Sequence, residues 1–160
     1  MTVERLTAGQ IMSRVLVAVS ARESPLMAWE LMRRAGVHHL PVVEDSGHLV
    51  GILSREDVAG SWYGGPEVQS RRQIRVLLRG RRQPHATPDD SVARVAAAML
   101  DASVDAIPVL AEGDRLVGLI TTHDVLAAMA GRVPKEQAPG EIVTGMFHLE
   151  PVLPRQSQQV

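Results

Sequence analysis

No cysteine occurs in the 160 residues, which removes disulfides, thiolate metal sites and cysteine nucleophiles together and accords with a reducing compartment. Aromatic residues make up only 2% of the chain. A core must therefore be assembled from Val, Leu, Ile, Met and Ala, and Trp29 and Trp62 read as packing residues, too few to stack a run of nucleic-acid bases. No segment approaches the roughly 18 consecutive apolar residues of a membrane span, and the opening MTVERLTAGQ has no apolar secretory core. The expectation is a cytoplasmic protein with no membrane partner. A formal net charge of -1 and a pI near 6.6 argue against a nucleic-acid partner, which usually leaves a strong basic footprint. No nucleophile elbow, zinc signature or phosphate-loop lysine is present, so no enzyme activity, catalytic residue or metal site is expected.

What the chain does contain is repetition. VGILSRED at residues 50–57 returns as VGLITTHD at 117–124, and the offset of 67 residues between Gly51 and Gly118 also pairs Ser24 with Ser91, Met32 with Met99, Pro41 with Pro108 and Val58 with Val125. A register kept over that distance without a gap is an internal duplication. The expected division is a first repeat over 1–62, an arginine-rich connector over 63–76, a second repeat over 77–131, and a C-terminal linker and tail over 132–160. Repeats of this size bury too little surface alone, so their sheets should pack face to face.

Each copy reads as helix, strand, strand, helix after a short extended piece (VLVAVS at 15–20, QPHATP at 83–88). Ser24 followed by Pro25 starts a helix over 25–35 that Gly36 ends, and Ser91 caps a helix over 92–102. VHHLPVV (37–43) and AIPVL (106–110) read as strands whose proline lacks a ladder donor, each followed by a turn and a return strand. Ser54 caps a helix through Val58, and Thr121 caps one to Met129. GSWYGGPE (60–67) reads as a hinge. The stretch SRRQIRVLLRGRR, 70–82, holds six arginines and no acid, and reads either as a solvated face with arginine stems over apolar neighbours or as an anion contact. IVTGMFHL (142–149) reads as an extra strand docking on the body or on a partner chain, and RQSQQV as a frayed end.

The pairs Ser54/Asp57 and Thr121/Asp124 admit two readings. A hydroxyl followed three residues later by an acid is a capping box. The same spacing after a glycine supplies a ligand site, with free N–H groups for phosphate and a carboxylate for ribose hydroxyls. His38 and His39, neighbours in a strand, should face opposite sides, which argues against a shared metal.

Pro-Val-Val followed by Gly-Ile-Leu-Ser-x-x-Asp, duplicated as Pro-Val-Leu and Gly-Leu-Ile-Thr-x-x-Asp, resembles a tandem pair of cystathionine-β-synthase (CBS) domains, a Bateman module, from about Thr7 to Gly131. The resemblance implies an α+β fold of two β-α-β-β-α repeats packed about a pseudo-two-fold axis, with two clefts for adenosine ligands, and pairing into a homodimer. Carried onto this sequence, it makes Ser54 and Asp57 the phosphate-side hydroxyl and ribose acid of one cleft, and Thr121 and Asp124 those of the other. Backbone around His39, Leu40 and Pro41, and around Ala106, Ile107 and Pro108, would line the adenine pockets beside Val17, Val19, His85 and Thr87. Arg55 and His123 are candidate phosphate contacts. The implied function is a regulatory module needing no cofactor, which binds AMP, ADP, ATP or S-adenosylmethionine and signals to a partner protein. The alternatives are a ligand-free interaction scaffold, or a weak nucleic-acid contact through the arginine-rich connector.

Overall fold

The computed structural model describes residues 2–14, 16–134 and 142–144. After a short helix α1 (Ala8–Ile11), the first repeat runs β1 (Leu16–Ser20), α2 (Pro25–Ala35), β2 (His39–Val43), β3 (Leu49–Ser54) and α3 (Arg55–Gly60). A helix α4 (Pro66–Arg71) and a 3-10 turn (Ile74–Leu78) lead to the second repeat, α5 (Val92–Ala102), β4 (Ala106–Ala111), β5 (Arg115–Thr121) and α6 (Thr122–Met129). The chain is thus the α+β pair of repeats that the duplication implies.

Local chemistry sets the ends of α2. The Ser24 hydroxyl accepts from the Met27 N–H at 3.1 Å, Pro25 opens the first turn, and Gly36 closes the helix at φ 65°, a conformation that favours glycine. Its apolar stripe of Ala28, Leu31 and Met32 is buried against β1, β2 and β3. In α5 the Ser91 hydroxyl repeats the cap on the Arg94 N–H at 3.2 Å, and Val92, Val95 and Met99 are buried.

The first sheet has the order β3-β2-β1-β6, with β6 (Ile142–Thr144) parallel to β1, and the second holds only β4 and β5, antiparallel. The extra strand anticipated within 142–149 is therefore on the body over 142–144; its remainder, most of the linker and the tail lie outside the described residues. The leading strand of the second repeat shrinks to a single parallel bridge, Ala86 to Val109, at the offset that pairs Val19 with Val42 in the first. Pro84 and Pro88 flank that bridge and offer no N–H to extend it.

Spatial grouping crosses the division of the sequence into repeats. Leu6, Ala8, Ile11 and Met12 are buried with Val92, Val95, Met99, Ile107 and Ile120 of the second repeat. The Ala8 and Gly9 N–H groups donate to the carbonyls of Asp90 and Pro88 at 2.8 and 2.9 Å. Conversely, Ile74 and Leu78 are buried with Val19, Met32, Leu40 and Leu53 of the first repeat, and the Ile74 N–H donates to the Glu23 carbonyl at 2.8 Å. Each repeat's lead-in completes the other's core. Between the two cores, Leu16 and Ile52 meet Ala106, Leu116 and Leu119, so the sheets pack together.

Candidate functional site

Both hydroxyl-x-x-acid motifs form capping boxes. The Ser54 N–H donates to Asp57 Oδ2 at 2.8 Å while the Asp57 N–H donates to Ser54 Oγ at 3.0 Å. In the second repeat the Thr121 N–H donates to Asp124 Oδ2 at 2.8 Å, and the Asp124 N–H reaches Thr121 Oγ1 at 3.4 Å. The two differ in their remaining oxygen. Asp57 Oδ1 accepts from the Arg81 guanidinium at 2.7 Å, whereas Asp124 Oδ1 has no hydrogen-bond partner among the described residues. Burial alone would push the Asp57 carboxyl up, but Arg81 together with the Ser54 N–H and hydroxyl outweighs it and holds the group below its ordinary value.

A cavity of about 620 Å³ opens between the repeats, within the size range of nucleoside and cofactor sites. Its walls bring together Val17, His39 and Pro41 of the first repeat with Thr121 and His123 of the second. Leu40, Ala106, Ile107, Pro108 and Val19, of which the first four are expected to offer backbone to an adenine in one or the other cleft, are buried and are not among the lining residues of this cavity. Ser54, Asp57, Asp124, His85, Thr87 and Arg55 also lie outside its lining. The Arg55 guanidinium stands over the Trp29 ring, 5.2 Å from its centroid.

Sequence reasoning did not single out Ser13, Leu16, Asp105, Leu119 or Thr122 as lining residues. One signal was available: His38 and Asp105 stand at equivalent positions across the offset, each just before a strand, and both line the cavity. The expectation that His38 and His39 face opposite sides is corrected here. β2 begins at His39, so His38 lies outside the pleat and both residues line the same space. Burial pushes the His39 imidazole below its ordinary value against the opposing pull of Asp105, Glu56 and Asp57. Among the described residues no group of three or more His, Asp or Glu side chains is placed to hold a metal ion, and no helix is long and apolar enough to cross a membrane.

Several substitutions separate this cavity from the pseudo-equivalent cleft, and one of them changes how a sheet edge is closed. Leu16, at the cavity wall, corresponds to Gln83, whose Oε1 accepts from the Ile52 N–H on the outer edge of β3 at 3.0 Å. On the outer edge of β5 the same role falls to backbone, since Ser13 and Leu119 exchange N–H donors at 2.9 and 3.1 Å. This exchange seats Met12 against Gly118, where an added Cβ would meet Met12 Sδ at 2.2 Å. What approaches the second-repeat glycine closely is thus the chain's own lead-in. The arginines of 70–82 are largely engaged within the chain: Arg71 pairs with Glu67, Arg75 with Glu44 and Arg81 with Asp57, each at 2.7 Å, while Arg72 donates to the Ser61 carbonyl at 2.9 Å.

A family model described as the CBS domain matches residues 8–62 and 80–131. Among solved structures, the CBS domain pair of protein MJ0100 in complex with 5'-methylthioadenosine and S-adenosyl-L-methionine superposes with a TM-score of 0.68 at 25% identity, covering 79% of this chain and 97% of that one. The cytosolic domain of the Mg2+ channel MgtE in complex with ATP gives a TM-score of 0.63 at 27% identity, over 77% of this chain and 48% of that one. Among curated proteins, L-aspartate semialdehyde sulfurtransferase of Methanocaldococcus jannaschii is 26% identical over 122 residues, 76% of this chain. The chain spans only 23% of that relative's length, and less than half of the next ones.

Proposed function

The chain belongs to the CBS domain family and carries two of its repeats in tandem, and from that premise we propose a regulatory module that binds an adenosine-containing ligand in the cavity between the repeats. The candidate ligands are AMP, ADP, ATP and S-adenosylmethionine. The reading assigns the module no chemistry of its own; it signals to a partner protein through the geometry of a homodimer. The observation that carries it is the composition of the cavity wall, with Val17, His39 and Pro41 from one repeat facing Thr121 and His123 from the other. A ligand held by both walls favours one relative placement of the repeats, and a switch works only through such differential affinity.

Val17 and Pro41 offer an apolar surface for a base, beside the strand-entry backbone at His38 and His39. Thr121 and His123 stand at the start of α6; the Thr122 and Asp124 N–H groups already donate to the Asp105 carbonyl and the Thr121 hydroxyl, which leaves the His123 N–H to donate to a polar ligand atom. Asp124 lies one residue beyond His123 and outside the cavity lining; its open Oδ1 is assigned to the ribose hydroxyls of a ligand that extends past that wall. Titration of AMP, ADP, ATP, S-adenosylmethionine and, as a control, GMP against the thermal midpoint tests the reading. A ligand at 100 times its dissociation constant stabilises by about 2.7 kcal/mol, hence roughly 5 to 11 °C for a domain of this size. The expected result is a rise with an adenosine compound that Asp124→Ala abolishes. No rise with any of them, in protein freed of carried-over nucleotide, overturns the reading in favour of the interaction scaffold, which the closed capping boxes support.

A further inference from the structure

The cavity carries an uneven set of charges. Among the described residues that line it none is lysine or arginine, Asp105 is the one carboxylate, and the cationisable side chains are those of His38, His39 and His123. Imidazoles carry little charge in mildly alkaline solution. The arginines nearest the other motif are occupied elsewhere, Arg55 over Trp29 and Arg81 on Asp57. A phosphate entering this space meets one helix terminus, worth about 0.3 to 1 kcal/mol to an anion, and a carboxylate that repels it. An anion leaving water without a paired cation loses far more than a helix end returns.

We propose that the cavity selects phosphate-free adenosyl ligands, a thioether nucleoside or a sulfonium, over AMP, ADP and ATP. Asp105 faces the cationic centre, and a histidine at position 123, in place of a lysine or arginine, sets the choice against phosphate. This rests on the adenosine reading above and narrows it. Asp105 is free for the role because its fold-forming contact is made by backbone: its carbonyl accepts the Thr122 N–H at 3.0 Å, and the residue is exposed. At the equivalent place in the first repeat, the Arg55 N–H donates to the His38 carbonyl at 2.9 Å. The same backbone joint therefore carries an anionic side chain in one repeat and an imidazole in the other.

The test is calorimetric titration of the full chain at pH 7.5 with adenosine, 5'-methylthioadenosine, S-adenosylmethionine, AMP and ATP. The expected result is binding of the phosphate-free compounds at least about tenfold tighter than AMP or ATP, the scale of an unmatched charge. Asp105→Asn should weaken S-adenosylmethionine by roughly two- to fivefold, as expected of an exposed ion pair, and leave 5'-methylthioadenosine unchanged. His123→Arg should tighten AMP and not adenosine. AMP or ATP binding to the unaltered protein as tightly as 5'-methylthioadenosine overturns the proposal while leaving the adenosine reading intact. Binding by none of the five overturns both. An equal loss of both adenosyl ligands in Asp105→Asn removes that residue's assigned role, and no gain of AMP binding in His123→Arg removes that of position 123.

Discussion

Gly51 and Gly118 occupy equivalent positions in the two repeats, yet the structure assigns them opposite responses to a single methyl group. At Gly118 an added Cβ would stand 2.2 Å from Met12 Sδ, 2.7 Å from its Cγ and 3.0 Å from its Cβ. The sulfur can swing away, but Met12 Cβ is fixed to a backbone pinned by the hydrogen bonds between Ser13 and Leu119. The lead-in must lift from β5 as a body. Overpacking of that kind costs typically about 1 to 3 kcal/mol, offset by the ~0.4 to 1 kcal/mol that Gly→Ala contributes by restricting the unfolded chain. At Gly51 the nearest atoms are Leu78 Cδ1 at 3.5 Å and Gln83 Oε1 at 3.6 Å, which is ordinary contact. Gly118→Ala is therefore expected to lower stability by about 1 to 2 kcal/mol and Gly51→Ala to leave it level or slightly raised, read as denaturant midpoints at constant slope. Adding Met12→Gly, which removes that Cβ as well as the sulfur, should make the Gly118→Ala penalty vanish, since the two sites share one contact. Equal midpoints for the two alanine variants, or a penalty that survives Met12→Gly, would refute the account of how the lead-in is seated.

Two further outcomes follow from the first repeat. Because the Asp57 carboxyl is held below its ordinary value, its stabilising contribution is complete above the unfolded-state pKa of about 3.9 and is lost as the pH falls through the lower folded value. Replacing its partner, Arg81→Ala, leaves burial to act against the charge, so the acid limb of the stability profile should move to higher pH; acid limbs that coincide would exclude the pairing. Gln83→Ala strips the Ile52 N–H of its acceptor and should cost about 1 kcal/mol with faster hydrogen exchange at Ile52, whereas Gln83→Glu, which retains a carboxyl oxygen, should protect that amide. Unchanged exchange in Gln83→Ala would show that water replaces the side chain without loss.

Much of the secondary structure is legible in short-range chemistry. Ser24-Pro25 and Gly36 bracket a helix that spans Pro25–Ala35 in the structure, and the spacing of Ala28, Leu31 and Met32 identifies the face that is buried. The duplicated motifs are read correctly as helix starts because a capping box involves only four residues. What each lead-in packs against is not legible in the same way. Thr7 to Ile11 and Ile74 to Leu78 hold equivalent places in the duplication, but an apolar turn looks the same whether it serves its own repeat or the neighbour. One difference between the clefts is written plainly as Leu16 against Gln83. Its meaning depends on a vacant N–H on the outer edge of β3, a property of the assembled sheet that no local pattern reports. The expectation for the two histidines failed for a related reason: alternation holds only inside a strand, and His38 lies one residue outside it.

The exchange of lead-ins makes the unit that was copied different from the unit that folds. A cut at the Gly64–Gly65 turn would release one fragment that owns Leu6, Ile11 and Met12 but lacks Ile74 and Leu78, and another with the reverse deficit. Each piece carries part of its counterpart's interior, so each acquires a finished interior only by docking with the other. The duplication has thereby interlocked its two products, and a gene that lost one of them would encode a half with no complete interior of its own.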